Sequence, residues 1–159
     1  MAIDLDSVLL PLNNGKTVSL GGGSTMTFRV SGEDTGGAYS VLEYMAAPGG
    51  GSAMHLHRNE DESFFILEGA ITFQLGDDKT RATPGTFIHI PKGLRHAFVN
   101  AEPEPARSMV ILTPAGLEYF FAEISELLRT YPSGPPVEVV RALTDKYGLD
   151  FGPFGLAGG

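Results

Sequence analysis

Gly49-Gly50-Gly51-Ser52-Ala53-Met54-His55-Leu56-His57-Arg58-Asn59-Glu60-Asp61-Glu62 carries two of the chain's four histidines, one residue apart, followed by an acidic run. In an extended strand, side chains two positions apart share a face. His55 and His57 therefore project the same way, with Cα atoms roughly 7 Å apart, close enough to converge on one ion. Glu62 lies an odd number of residues beyond His57, so an unbroken strand would turn it to the opposite face. The polar stretch Arg58-Asn59-Glu60-Asp61 reads as a bend that resets this parity.

Outward from this stretch, short apolar or alternating runs follow one another: Thr17–Leu20, Met26–Ser31, Tyr39–Ala47, Ala53–His57, Ser63–Leu67, Ile71–Leu75, Thr86–Ile90, His96–Asn100 and Ser108–Thr113. Gly, Pro, Asn and Asp clusters separate them, among them Gly21-Gly22-Gly23, Gly36-Gly37, Gly76-Asp77-Asp78 and Pro91-Lys92-Gly93. Many short strands at this spacing predict an antiparallel barrel or sandwich. Glu62, Phe64 and Ile66 share one face, as do Ile71, Phe73 and Leu75, and the tight Glu68-Gly69 connection predicts a hairpin between the two runs. A carboxylate on the apolar face at Glu62 must be paired or ligated, because an isolated buried charge is costly.

The last third changes character. Apolar residues at 117, 120, 121, 124, 127 and 128 follow a helical period, with Glu118, Glu123 and Glu126 off the stripe. A second, weaker helix follows Pro135-Pro136 and stops at Gly148. Residues 1–16, with a turn at Asn13-Asn14-Gly15, read as a lead-in, and Gly152 to Gly159 as a loose tail. The expectation is one domain over residues 1–159, with a barrel core at about 17–113 and a helical extension at about 114–150.

Composition narrows the chemistry. There is no cysteine, so disulfides and thiolate metal sites are excluded, and any metal must be held by nitrogen and oxygen. A net charge of -8 argues against nucleic acid as a partner. No apolar run approaches the roughly 20 residues that a membrane helix requires, and the acidic N-terminus does not resemble a secretory signal. A cytoplasmic protein that does not engage membranes is the expectation. The glycine runs lack the Lys-Ser/Thr of a phosphate loop, and no serine has a nucleophile-elbow context.

Gly85-Thr86-Phe87-Ile88-His89-Ile90-Pro91-Lys92-Gly93-Leu94-Arg95-His96-Ala97-Phe98-Val99-Asn100 is the other informative stretch. Pro91-Lys92-Gly93 predicts a sharp turn, after which His96 opens a strand. Together the two stretches resemble the cupin superfamily. The pattern G-x5-H-x-H-x4-E-x6-G is met at Gly49, His55, His57, Glu62 and Gly69, and G-x5-P-x-G-x2-H-x3-N at Gly85, Pro91, Gly93, His96 and Asn100. Thr113-Pro114-Ala115-Gly116-Leu117-Glu118-Tyr119-Phe120-Phe121 and Tyr147-Gly148-Leu149-Asp150-Phe151 are similar, less specifically, to single-domain bacterial cupins of the quercetinase-like kind.

The resemblance implies an all-β fold, a double-stranded β-helix or jelly-roll barrel, with the two C-terminal α-helices packed outside. It implies one divalent metal ion bound by His55, His57, Glu62 and His96. The competing reading is a set of hydrogen-bonded polar residues in a barrel that holds no metal. Three imidazoles and a carboxylate suit Fe, Mn, Ni, Co, Zn or Cu, and affinity order does not choose among them. The function implied is a dioxygenase acting on a small enolisable or aromatic substrate, with Glu62 as proton acceptor. Phe64, Phe73, His89 and Phe98 are candidates for the substrate pocket, although a lone histidine between two isoleucines, as His89 is, is more often packed or hydrogen-bonded. Two alternatives stay open: a metal-dependent sugar or keto-acid isomerase, and a non-catalytic small-molecule binding or sensing barrel. A homodimer is expected, from the family resemblance and from strand edges that need cover.

Overall fold

A computed structural model describes residues 15–152; residues 1–14 of the lead-in and most of the C-terminal tail lie outside the described residues. In chain order the elements are β1 Thr17–Gly21, β2 Ser24–Val30, α1 Gly32–Thr35, β3 Ser40–Ala46, β4 Gly51–His57, β5 Asp61–Glu68, β6 Ile71–Leu75, β7 Asp78–Ala82, β8 Phe87–Ile90, β9 His96–Val99, β10 Ala106–Thr113, α2 Glu118–Thr130, α3 Val137–Lys146 and β11 Leu149–Asp150. The strands form two antiparallel sheets, of order β1-β2-β3-β10-β5-β8 and β11-β4-β9-β6-β7. This is the double-stranded β-helix. None of the described helices is long and apolar enough to cross a membrane.

Period-2 alternation sets which residues meet between the sheets. On β3 the buried positions are Ser40, Leu42, Tyr44 and Ala46; on β10 they are Ala106, Ser108, Val110 and Leu112. On β5 they are Glu62, Phe64 and Ile66. Phe64, from the first sheet, meets Phe73 and Phe98 of the second edge to face, with ring centroids 5.0 and 5.1 Å apart. These three rings join the layers, and such pairs are favourable beyond the area they bury.

The hairpin expected between Ser63–Leu67 and Ile71–Leu75 does not form. β5 pairs with β10 and β8, whereas β6 pairs with β7 and β9 in the opposite sheet. Glu68-Gly69-Ala70 is therefore a corner at which the chain changes layers. Gly69 holds φ +70, and a Cβ there would lie 2.8 Å from the Pro105 carbonyl oxygen and 2.9 Å from the Ala106 Cα. Only glycine meets both demands.

Pro91-Lys92-Gly93 likewise turns the chain, again between layers, from β8 to β9. The Gly93 amide, at φ +84, donates to the His57 carbonyl at 2.7 Å. The two histidine-bearing stretches are thereby tied to each other through backbone. Asn100 plays the matching part at the other end of β9. Fully buried, it donates to the carbonyls of Ala46 at 2.9 Å and Glu104 at 2.8 Å, and accepts from the Glu102 amide at 3.0 Å.

Helix α2 lies against β1, and α3 leads into β11, which pairs with β4 in the register Leu149↔His57 and Asp150↔Leu56. Glu118, off the apolar stripe in sequence, is fully buried. Its carboxylate accepts from the Gly32 amide at 2.8 Å and the Gly116 amide at 2.6 Å, pinning the start of α2 to α1.

Candidate metal centre and pocket

His55 and His57 alternate inward on β4, and the bend at Arg58–Glu60 lets β5 restart with Glu62 facing the same interior. His96 opens β9, where it pairs directly with His55. The four side chains come from three strands, and one ligand atom from each lies within 4.8 Å of all the others. All four are buried, at 1–4% exposure. The inward orientation anticipated for Glu62 after a parity-resetting bend is what the backbone adopts.

Hydrogen bonding fixes what these imidazoles present. The Nδ1 atoms of His55 and His96 lie 2.8 Å from the Ala53 carbonyl and 3.0 Å from the Leu94 carbonyl. A carbonyl only accepts, so each Nδ1 carries the hydrogen, and the Nε2 of each neutral ring presents a lone pair. Those lone pairs point into the cluster, with His55 Nε2 3.0 Å from His57 Nε2 and His96 Nε2 3.1 Å from Glu62 Oε2. His57 Nε2 lies 3.5 Å from the same carboxylate oxygen. Electron-rich atoms crowded in this way call for a cation at their centre, and the donor set fits a divalent metal bound through nitrogen and oxygen.

Electrostatics keep the set ready for a metal. Burial pushes the His55 pKa down to about 4, with His96 adding to the effect, and burial also lowers that of His57. Burial alone would raise Glu62, but the imidazoles of His57, His96 and His55 outweigh it and hold the carboxyl below its ordinary value. At neutral pH His55 and His57 are therefore neutral and Glu62 is ionised, the forms in which these groups ligate. Glu60, beside the cluster, is pushed up to about 7 by burial, with Glu62 and Glu118 contributing.

Comparison with known proteins agrees with the fold. A family model described as a cupin domain matches residues 42–112, which span the bend, all four converging side chains and the crossing turns. Residues 42–112 are a cupin domain. The quercetin 2,3-dioxygenase of Bacillus subtilis (strain 168) is a distant homologue of this cupin, 24% identical over 94 residues, or 59% of this chain and 28% of the dioxygenase. The chain spans less than a third of the length of the curated relatives it matches. Among solved structures, KdgF from Halomonas sp. superposes with a TM-score of 0.63 at 16% identity, covering 71% of this chain and 98% of that one. A sugar phosphate isomerase from Silicibacter pomeroyi superposes with a TM-score of 0.58 at 24% identity, covering 66% and 74%. At such identities these likenesses show the fold alone.

The cluster opens on a cavity of about 180 Å³. His55, His57 and Glu62 form one end of it. Phe64 and Phe98 line it, together with Tyr44 and Val110 from the barrel interior. Two expected pocket residues fall elsewhere. Phe73 is buried one layer behind, edge-on to Phe64, and does not line the cavity. His89 is exposed on the outer face of β8, where its Nδ1 meets the Ser63 hydroxyl at 2.9 Å. The register explains it: Glu62 pairs with Ile90 and Ser63 with His89, so an inward Glu62 requires an outward His89.

The cupin pocket also takes residues from outside the barrel. Leu117, at the start of α2, and Phe120, Phe121 and Ile124 on it close one side, and Leu149 and Phe151 around β11 close another. The helix expected to pack only on the outside is thus part of the wall. Its apolar stripe was legible in sequence, but nothing in a periodic pattern says whether a stripe covers a barrel flank or a barrel mouth.

Proposed function

We propose that this cupin is a metal-dependent dioxygenase acting on a small, neutral, enolisable or aromatic substrate. The observation that carries the reading is a three-imidazole, one-carboxylate cluster at the end of a cavity walled by phenylalanine and aliphatic side chains. Among the described residues, no lysine or arginine lines that cavity. A phosphorylated sugar or a dianionic acid would find no side-chain counter-charge there, which weighs against an isomerase for such substrates.

Cavity size limits the substrate further. About 180 Å³ is close to the space that holds one benzene-sized ring. A single ring or short diketone with a few substituents fits; a three-ring compound requires the α2 or β11 wall to move.

In this reading His55, His57, Glu62 and His96 hold a divalent ion that supplies Lewis acidity to a substrate oxygen anion. The residues of the chain do the rest. Glu62, kept ionised by the imidazoles around it, accepts the proton that enolisation or phenol ionisation releases. Phe64, Phe98, Phe120 and Phe151 orient the ring and keep water from the reacting carbon. Both atoms of O2 end in the product, so the stoichiometry is one O2 per substrate with no external reductant.

The test is oxygen uptake by the metal-loaded protein with a panel of catechols and short 1,3-diketones, repeated without air. Substrate loss that matches O2 consumption and stops under anaerobic conditions supports the reading. Equal loss without O2, or solvent deuterium entering recovered substrate with no O2 uptake, contradicts it.

A further inference from the structure

A ligating imidazole needs a second group to hold its ring and decide which nitrogen carries the proton. For His55 and His96 that group is a backbone carbonyl, of Ala53 and Leu94 respectively. His57 differs. Its Nδ1 is buried, and no hydrogen-bond partner reaches it among the described residues. Glu60 Oε2 is in the same position, buried and without a partner. These two complementary atoms lie 3.9 Å apart, with Glu60 only 5% exposed.

We propose that Glu60 is the positioning residue for His57: its carboxylate accepts the Nδ1 hydrogen and so directs the Nε2 lone pair into the metal cluster. Shortening the contact to hydrogen-bond length takes a shift of about 1 Å, within reach of a side-chain rotation. The backbone on either side is held while it happens. The Arg58 amide donates to the Gly148 carbonyl at 2.9 Å, and the Asp61 carboxylate accepts from the Lys92 amide at 2.9 Å. The bend that resets strand parity thus also delivers the third orienting group, and does so from a side chain because the end of β4 offers no carbonyl in the right place. A carboxylate partner makes the ring a stronger donor than a carbonyl does, so His57 is set apart from the other two imidazoles.

The proposal rests on the metal-centre reading above, and its test separates the two. The measurements are the ¹⁵N chemical shifts of the His57 ring in the metal-free protein and the Zn(II) affinity by competition with a fluorescent chelator. Both are made on wild type, Glu60→Gln, Glu60→Ala and His57→Ala, and on the last two combined. In wild type His57 is expected as the Nδ1–H tautomer. Glu60→Ala is expected to lose that preference and to weaken Zn(II) binding roughly 10–100-fold. Glu60→Gln, which keeps an acceptor oxygen at nearly the same place, restores the tautomer and much of the affinity. In the His57→Ala background, Glu60→Ala should have no further effect on affinity. An unchanged tautomer in Glu60→Ala, or the same affinity loss with and without His57, overturns the assignment. Absence of Zn(II) binding by wild type would instead defeat the metal-centre reading, with the tautomer shift still deciding the Glu60–His57 relationship.

Discussion

The Phe151 ring lies stacked on the His55 imidazole, centroids 5.0 Å apart and planes 17° from parallel. A residue near the end of the described chain thereby covers one histidine of the cluster. It is placed there by β11, which pairs with the strand bearing both His55 and His57. Arg58 and Arg95 each reach the Asp150 carboxylate next to it, at 3.0 and 3.4 Å.

Replacing Phe151 with alanine should therefore open the site. The ring is half-buried, so the expected stability loss is roughly 1–2 kcal/mol, below the 3–5 typical of a fully buried phenylalanine. The sharper effect is on access: a chelator should strip bound metal several-fold faster from Phe151→Ala than from wild type, while Phe151→Leu lies between them. Stopped-flow metal release measures this, and identical release rates in all three would show that Phe151 does not guard the centre.

The corner at Gly69 makes a second comparison. Gly76 also has positive φ, +59, but open space where a Cβ would go. Gly76→Ala should cost about 1–2 kcal/mol, the penalty of the left-handed backbone. Gly69→Ala should cost roughly 2 kcal/mol more, because the added methyl meets the backbone of Pro105 and Ala106. Urea midpoints at unchanged slope would show the difference.

Gly69 also marks how far the sequence could be read. A hairpin and a change of layer both announce themselves as a short glycine-containing break between alternating runs, and only the partners of β5 and β6 tell them apart. β7 escaped notice because its first four residues, Asp78-Lys79-Thr80-Arg81, are exposed on both faces, leaving no alternation to detect. Within the cluster, His55 and His57 were legible from strand parity, whereas the whole set with Glu62 and His96 was legible only through the resemblance of the two motifs to cupins. Phe151, Phe120 and Phe121 were not, because their place in the wall depends on where a helix and a two-residue strand dock, which local sequence does not encode. The assignment of His89 to the cavity failed on a register that became visible only with Ile90 opposite Glu62.

Asn100 belongs to the same motif as His96, yet its side chain hydrogen-bonds Ala46, Glu104 and Glu102 and not the cluster. Asn100→Ala removes the side-chain partner of three backbone groups, the buried Ala46 carbonyl and the part-buried Glu104 carbonyl and Glu102 amide. The expected loss is about 3 kcal/mol, with metal content unchanged in the fraction that stays folded. Thermal denaturation with parallel metal analysis tests both halves of that statement.

The pH dependence of the metal-free protein follows from opposed shifts. His55 is held at about 4 by burial, below the ordinary value of 6.5. The unfolded chain therefore binds this proton first, and the contribution of His55 is fully present above pH 6.5 and lost as pH falls toward 4, on the order of 2–3 kcal/mol. Glu60, raised to about 7 by burial, acts in the other direction: its contribution is present below 4.5 and lost as pH rises through 7. In wild type Glu60 thus opposes the acid-side loss that His55, His57 and Glu62, all held below their ordinary values, produce together. Glu60→Gln removes that opposition, so its stability relative to wild type should fall as pH is lowered from 7 to 4.5. Urea midpoints across that range decide it, and a difference that stays constant or rises toward acid would contradict the assignment.

The most direct test of the central claim, that His55, His57, Glu62 and His96 bind one divalent ion together, is elemental analysis of the purified, metal-loaded protein. It should be run beside each alanine variant and the quadruple variant, with folding checked by circular dichroism. The account predicts about one equivalent of divalent metal per wild-type chain, a loss of tenfold or more in affinity for each single variant, and none retained by the quadruple variant. A folded quadruple variant with undiminished metal, or a wild-type protein that takes up none, would contradict it.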